Sequence, residues 1–263
     1  MKCRRSGRAA STAVVNAIGC DSEGWRHVPG VGVVAAESHD SWSAFLGRVR
    51  ERGVRGMRLV TSDAREGLGR AVEETFQGAA WQRCAVLHLM RDCARAASSS
   101  RRTSRRVSRI VAPVFRLREA SAVRAAYHQA IEMLEVCCPE AARILEEAEP
   151  DALAYLDFPP THWKRLRTNN LQERTNREIK RRSRVVQVFP SVASLERLAD
   201  AVMCDQDEAW SRSRYFSERV MSELPDEPAA ATAATEEQLA AFRLVARRAI
   251  EASLELADEP GTA

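Results

Sequence analysis

RTNNLQERTNREIKRRSRVVQVFPS, residues 167–191, is the stretch whose reading decides the rest of the chain. It sets Glu173 at the head of a helix whose next two turns carry Arg174, Arg177, Lys180, Arg181 and Arg182, with Arg184 just beyond. Residues three, four and seven apart align on a helix, so Glu173, Asn176, Arg177 and Lys180 share a face. Glu178 falls roughly 140° round from Glu173 and suits ion pairs with Arg174 and Arg182, each four residues away. A solvated charged helix would account for the pattern, since exposed charge pairs are common. An acid set among cations also suits a group that holds a metal ion beside a polyanion.

The remaining composition is that of an ordinary globular protein. The 263 residues suffice for one large domain or two small ones. The net charge of +4 is modest, but the cations cluster at 101–109 and 174–184 and are nearly all arginine, with lysine only at Lys2, Lys164 and Lys180. Local cationic runs of this kind point to a phosphate partner more than net charge does. Seven cysteines without framework spacing read as reduced thiols of a cytosolic protein. The start, MKCRRSGRAASTAVVNAIGC, is interrupted by Ser11, Thr12 and Asn16 and is not expected to act as an export signal. No apolar run reaches 18 residues, so no membrane span is expected.

Working outward along the chain, Ala13–Cys20 and Val28–Ala36 are β-branched and apolar around a turn at 21–24, which predicts two antiparallel strands. Ser41–Glu51 predicts a helix with Trp42, Phe45, Leu46 and Val49 inward. Met57–Thr61 predicts a buried strand that runs into Ser62-Asp63 and a further helix. Asp63 with Glu66 makes a capping-box pattern. Asp63 is equally a candidate metal carboxylate at the edge of a sheet, and the two roles are compatible. Ala80–Leu87 predicts another strand leading to His88. Cys84 and His88 could form a metal pair, but two ligands are weak evidence for zinc, and a buried thiol with a satisfied histidine explains them as well.

Strand signals then vanish from Cys93 to about Pro160, where helical stripes such as Val107/Ile110/Val111 and Val123/Tyr127/Ala130/Leu134 predict an all-helical insertion. Residues 98–106 (SSSRRTSRR) read as a basic, loop-like lead into it, either a solvated linker or a phosphate contact. After Phe158–Trp163 come the Glu173 helix, a long helix opened by Ser191, a linker near 225–235 and a lone amphipathic helix over 236–256.

At this point the motifs LVTSDAREGL, WQRC with HLMRD, FPPTHW, and TNNLQERTNREIKRR with VFPS resemble the Mutator-type transposases of bacterial insertion sequences, in order from about Lys2 to Ser222. The resemblance implies an α/β fold: a ribonuclease H-like core interrupted by an all-helical insertion, with a helical C-terminal tail. Its expected divisions are 1–92 and 161–222 for the core, 93–160 for the insertion and 223–263 for the tail. It implies DNA strand cleavage and transfer by an Asp-Asp-Glu triad that binds two Mg2+ ions. Asp63 matches the second aspartate, Glu173 the glutamate, and Cys84 with His88 the family's cysteine–histidine motif. Arg174, Arg177, Lys180, Arg181, Arg182 and Arg184 become candidate DNA contacts. The partners implied are transposon ends and target DNA, in a homo-oligomer that is cytoplasmic and nucleoid-associated, with no membrane.

Two departures shape the expectation. The family's first aspartate would fall just before Met1, so the reading expects an N-terminally truncated and catalytically defective copy. The alternative is a non-catalytic DNA-binding or dimerising remnant that interferes with full-length transposase. The second departure is three residues between Cys84 and His88 where the family has two. One extra residue in a strand reverses the facing of all that follows unless a bulge absorbs it.

Overall fold

The structure is a computed structural model that describes residues 1–5, 7–63, 67–97, 100–225 and 235–255. The fold is mixed α/β and mostly helical, with three two-stranded sheets among the described residues. It divides into two compact units: Met1–Val60, Ala64–Trp81 and Asn169–Leu224 form the first, and Thr61–Asp63, Gln82–Thr168 and Pro225–Ala263 the second.

In the first unit, β1 (Lys2–Arg5) and β2 (Arg8–Ser11) make an antiparallel hairpin, and β1 also bridges Phe189 in parallel through Cys3. Strands β3 (Ala13–Cys20) and β4 (Arg26–Val34) pair antiparallel from Ala13↔Val34 to Cys20↔Arg26, with a register shift between Ala17 and Gly19. The turn between them requires glycine at 24. Its φ is +87°, and a Cβ there would sit 2.2 Å from the carbonyl oxygen of Phe216. Helix α1 (His39–Glu51) is capped by the Ser38 side chain and buries Phe45, Leu46 and Val49. These side chains pack with Val15 of β3 and with Leu68, Ala71 and Val72 of α2 (Leu68–Thr75).

Strands β5 (Leu59–Ser62) and β6 (Ala80–Arg83) pair with each other, and the division between the units runs through both. The Ala80 N–H donates to Arg58 O (3.0 Å) and the Cys84 N–H to Ser62 O (2.7 Å). Partner numbers rise together, so the pair is parallel, and α2 supplies the crossover that a parallel pair needs.

The first unit closes with α8 (Asn170–Ser183), α9 (Val192–Trp210) and the short α10 (Glu218–Met221). Ile179 of α8 and Val202 and Met203 of α9 form a buried cluster against Val14, Ile18, Val28 and Val31 of the β3–β4 sheet. Ser191 caps α9 by accepting from the Ser194 N–H, as the sequence predicts. At the far end, the Arg26 guanidinium lies 5.0 Å from the Trp210 ring and 5.3 Å from Tyr215, and Arg214 lies 5.2 Å from Trp25. These cation–π contacts pin the end of α9 to β4.

Past the strand tips the second unit is helical. It contains α3 (Met90–Ala96), α4 (Arg101–Val111), α5 (Ala120–Cys137), α6 (Pro139–Ala152), α7 (Pro160–Leu166) and α11 (Glu236–Glu255). Pro113 follows α4, and Pro139 opens α6 at its first position, where no N–H is needed. The core runs from Leu89 and Cys93 through Val107, Tyr127, Leu134 and Leu145 to Trp163. The Tyr127 hydroxyl, fully buried, donates to Leu145 O (2.5 Å).

Three expectations need correction. The strand expected over 80–87 ends at Arg83, and residues 85–89 coil into a π-helix. The basic stretch expected as a loop is helix α4 from Arg101 onward, capped by Ser100; Ser98 and Ser99 lie outside the described residues. The tail helix is not alone, because α11 packs on α5 and α4 and buries Ala246 and Ile250 in their core.

Candidate functional site

Helix α8 is seated by its polar inner face. The Asn16 side chain of β3 donates to Asn176 Oδ1 (2.9 Å), and the Gln172 amide donates to Asn16 O (3.2 Å) and also to its side-chain oxygen. With Thr175, Ile179 and Ser183 buried beneath, this fixes which side of the helix faces outward. Residues 173, 177, 180 and 184 recur every three to four positions and fall in one outward stripe. Glu173, half-buried in the first turn, sits at the positive end of the helix dipole. Arg177, Lys180 and Arg184 follow it, all exposed, as is Arg174 beside the stripe. Among the described residues these four cations make no ion pair.

Arg181 and Arg182 differ. Both bond Glu178 at 2.8 Å, and Arg182 also reaches Asp205 at 2.8 Å. The expected partner Arg174 is not used. Arg181, then Arg182, holds the Glu178 carboxyl down at about 2. Of the expected DNA contacts, Arg174, Arg177, Lys180 and Arg184 are therefore available to phosphate, while Arg181 and Arg182 are already engaged with acids.

Asp63, Cys84 and His88 belong to the second unit. Asp63 follows β5 and is half-buried, and the Ser62 hydroxyl donates to its carbonyl oxygen (2.9 Å). The strand end is anchored by Thr61, whose hydroxyl donates to Leu166 O (2.7 Å). Asp63 does not cap α2, because the capping position is Gly67 at φ +76°, where a Cβ would meet His39 at 2.7 Å. Residues 64–66, including the expected Glu66 partner, lie outside the described residues.

Cys84 is wholly buried at the end of β6, and its N–H donates to the residue before Asp63. His88 Nδ1 accepts from the Arg91 guanidinium (2.7 Å), so a neutral His88 carries its proton on Nε2. Between them the π-turn closes with the Leu89 N–H on Cys84 O (3.1 Å). The three residues between Cys84 and His88 thus lie in a π-turn and not in the strand expected there.

Among the described residues, no group of three or more His, Cys, Asp or Glu side chains could hold a metal ion. Carboxylate oxygens of Asp63 and Glu173 are the right donor type for Mg2+, whereas the buried thiol of Cys84 is not. The two carboxylates lie in different units, and no described cluster supplies the ligand set such an ion needs. No described helix is long and apolar enough to cross a membrane.

Two features escaped sequence reasoning. Asn16 registers there only as a polar interruption of the apolar start of the chain, although that interruption was the available signal for its role under α8. Gln82, fully buried, donates to Ala152 O (2.9 Å) and Arg83 O (2.6 Å) and accepts the Tyr155 N–H (2.7 Å), tying β6 to the end of α6.

The comparisons with known proteins agree with one another. The sequence model of the family described as "Transposase, Mutator family" matches residues 1–213. The chain is 35% identical over 219 residues to the transposase for insertion sequence element IS1081 of Mycobacterium tuberculosis, covering 82% of this chain and 51% of that protein. It is 32% identical over 215 residues to the transposase for IS406 of Burkholderia multivorans, covering 82% and 55%. It is 31% identical over 221 residues to the transposase for IS256 in transposon Tn4001 of Staphylococcus aureus, covering 82% and 56%. The chain thus spans about half the length of the curated relatives it matches. With the motifs of the carboxylate-headed helix inside the matched residues, the chain belongs to the Mutator family of transposases.

Proposed function

We propose that this chain handles DNA as the catalytic region of an insertion-sequence transposase, cleaving and transferring strands at transposon ends and target DNA. The observation that carries the reading is α8, which presents Glu173 at its head and Arg177, Lys180 and Arg184 along one stripe without acidic partners among the described residues. Those cations neutralise backbone phosphates and position DNA without reading its sequence. Asp63 and Glu173 are the carboxylates to which the family's dependence on divalent metal points. A divalent ion, when bound, supplies charge stabilisation to a phosphodiester. In this reading β3, β4 and the β5–α2–β6 crossover belong to a ribonuclease H-like core, and the helices within 93–160, α4 to α6 with the end of α3, are its insertion. Assembly as a homo-oligomer on paired DNA ends and a place at the nucleoid belong to the same proposal.

A second reading, DNA binding without catalysis, is favoured by one observation, the lack of a three-ligand metal cluster among the described residues. One experiment separates the two. Binding to a duplex carrying an insertion-sequence end is titrated against salt, and Mn2+-dependent strand cleavage is scored on the same duplex. Arg177→Gln with Lys180→Gln is expected to flatten the salt slope by about 1.8, at ~0.9 per phosphate contact. Asp63→Asn and Glu173→Gln are expected to abolish cleavage and leave the slope unchanged. Binding without any cleavage by the parent chain selects the second reading. An unchanged slope in the double variant overturns the assignment of α8 as a phosphate-contacting helix.

A further inference from the structure

Helix α4 carries Arg101, Arg102, Arg105, Arg106 and Arg109 and no acidic residue. By the helical repeat these five fall within roughly 140° of the circumference. The opposite side buries Val107, Ile110 and Val111 in the core of the second unit. Arg101, Arg102, Arg105 and Arg106 are exposed, and Arg109 is half-buried. Arg101, Arg105, Arg106 and Arg109 make no ion pair among the described residues. Several arginines elsewhere in the same unit are paired with acids: Arg143 with Glu140 and Glu147, Arg124 with Asp157, Arg83 with Asp151 and Arg247 with Glu251.

The arrangement works against the helix that carries it. Arg101/Arg105, Arg102/Arg106 and Arg105/Arg109 are like-charge neighbours four apart, which destabilise a helix. Arg101 and Arg102 stand in the first turn, where the helix dipole disfavours cations. Helix stability therefore does not explain the face, whereas a polyanion laid along it would relieve both penalties. Arginines four apart advance by about 6 Å along the axis, and each planar fork can take a phosphate in two parallel hydrogen bonds.

We infer that the outward face of α4 is a second DNA-binding surface, separate from α8, that grips the phosphate backbone of duplex DNA through Arg101, Arg105, Arg106 and Arg109. The partner class rests on the transposase reading, and the surface itself on the geometry of α4. Its contacts carry no sequence information and add to affinity and salt dependence.

The test measures binding of the full chain to a random-sequence duplex across a salt series. Arg101→Gln with Arg105→Gln is compared with Arg143→Gln with Arg247→Gln, which removes the same charge from paired sites. A third variant, Arg177→Gln with Lys180→Gln, reports on α8. Circular dichroism confirms that each variant is folded. The α4 pair is expected to flatten the slope of log K against log salt by about 1.8, at ~0.9 per contact, while the paired-site control keeps the parent slope. Duplex DNA is also expected to raise the melting temperature of the parent chain more than that of the α4 variant. An α4 variant with the parent slope overturns the inference, even where the α8 variant shows the transposase reading intact. Loss in the α4 variant with none in the α8 variant upholds the inference and removes α8 from the interface. Equal loss in the α4 variant and the paired-site control reduces the effect to net charge and also overturns it.

Discussion

Gln82→Met removes one amide where the end of β6 meets the end of α6 and keeps the side chain's length. In the parent protein that amide, wholly buried, serves Ala152 O as donor and the Tyr155 N–H as acceptor. Methionine leaves both backbone groups buried and unpaired, at about 1–3 kcal/mol each. Relief from burying the amide itself offsets part of this, on the order of 1–2 kcal/mol. The net is a loss of about 2–3 kcal/mol, and at roughly 2–4 °C per kcal/mol for a chain of this size the melting temperature should fall by about 4–12 °C. Gln82→Glu should be worse near neutral pH than at pH 5, because only a protonated acid can donate to Ala152 O. Differential scanning calorimetry of the three proteins at both pH values reads this directly. A Met variant melting within about 2 °C of the parent, or a Glu variant indifferent to pH, would refute the view that Gln82 holds this junction by hydrogen bonding.

Other outcomes follow from the same structure. Asn16→Leu removes the polar seat of α8 and orphans Asn176 and Gln172, so chemical denaturation should show a loss of about 1–3 kcal/mol, with weaker DNA binding if α8 is the contact. Cys20 and Cys204 are exposed, whereas Cys3, Cys84, Cys93 and Cys138 are buried and burial pushes Cys93 up to about 12. A disulfide-exchange reagent at pH 8 should therefore label the two exposed thiols first and leave Cys93 unreacted until the protein unfolds. The Glu178 carboxyl is depressed to about 2 by Arg181 and Arg182. Its contribution should be present above the ordinary glutamate range and fade as pH falls through about 2. Carboxyl-carbon NMR should show a midpoint well below 4, which Arg181→Gln with Arg182→Gln restores to the ordinary value.

What the sequence discloses follows from how local each signal is. The β3–β4 pair, α1 and the Ser191-capped α9 are written in alternation, in stripes and in one capping serine, all within a few residues. The run Ala80-Trp81-Gln82-Arg83-Cys84-Ala85-Val86-Leu87 is apolar enough for strand or helix. Where the strand ends the contact is tertiary: the Ala85 N–H takes Arg167 O, and the local π-turn then closes with the Leu89 N–H on Cys84 O. Ser100 caps α4 in the structure, but the dense arginines after it resemble a linker more than a helix. Asp63 shows a capping pattern that α2, starting later at Leu68, does not use. The partners of Asn16 and Gln82 are about 70 to 160 residues away, and such pairs leave no trace in local pattern. At the candidate site, the cationic stripe of α8 was legible from spacing. Which arginines are already engaged was not, because Asp205 reaches Arg182 from another helix.

On the proposed function, Asp63 and Glu173 are carboxylates that hold divalent metal used on DNA. Iron-directed backbone cleavage tests it most directly: Fe2+ replaces Mg2+, peroxide and ascorbate release hydroxyl radicals beside the bound ion, and mass spectrometry maps the cuts. Cuts are expected adjoining both residue 63 and residue 173, suppressed by excess Mg2+ and lost in Asp63→Asn and in Glu173→Gln. Cuts at one position alone, or cuts that persist in both variants, would contradict it.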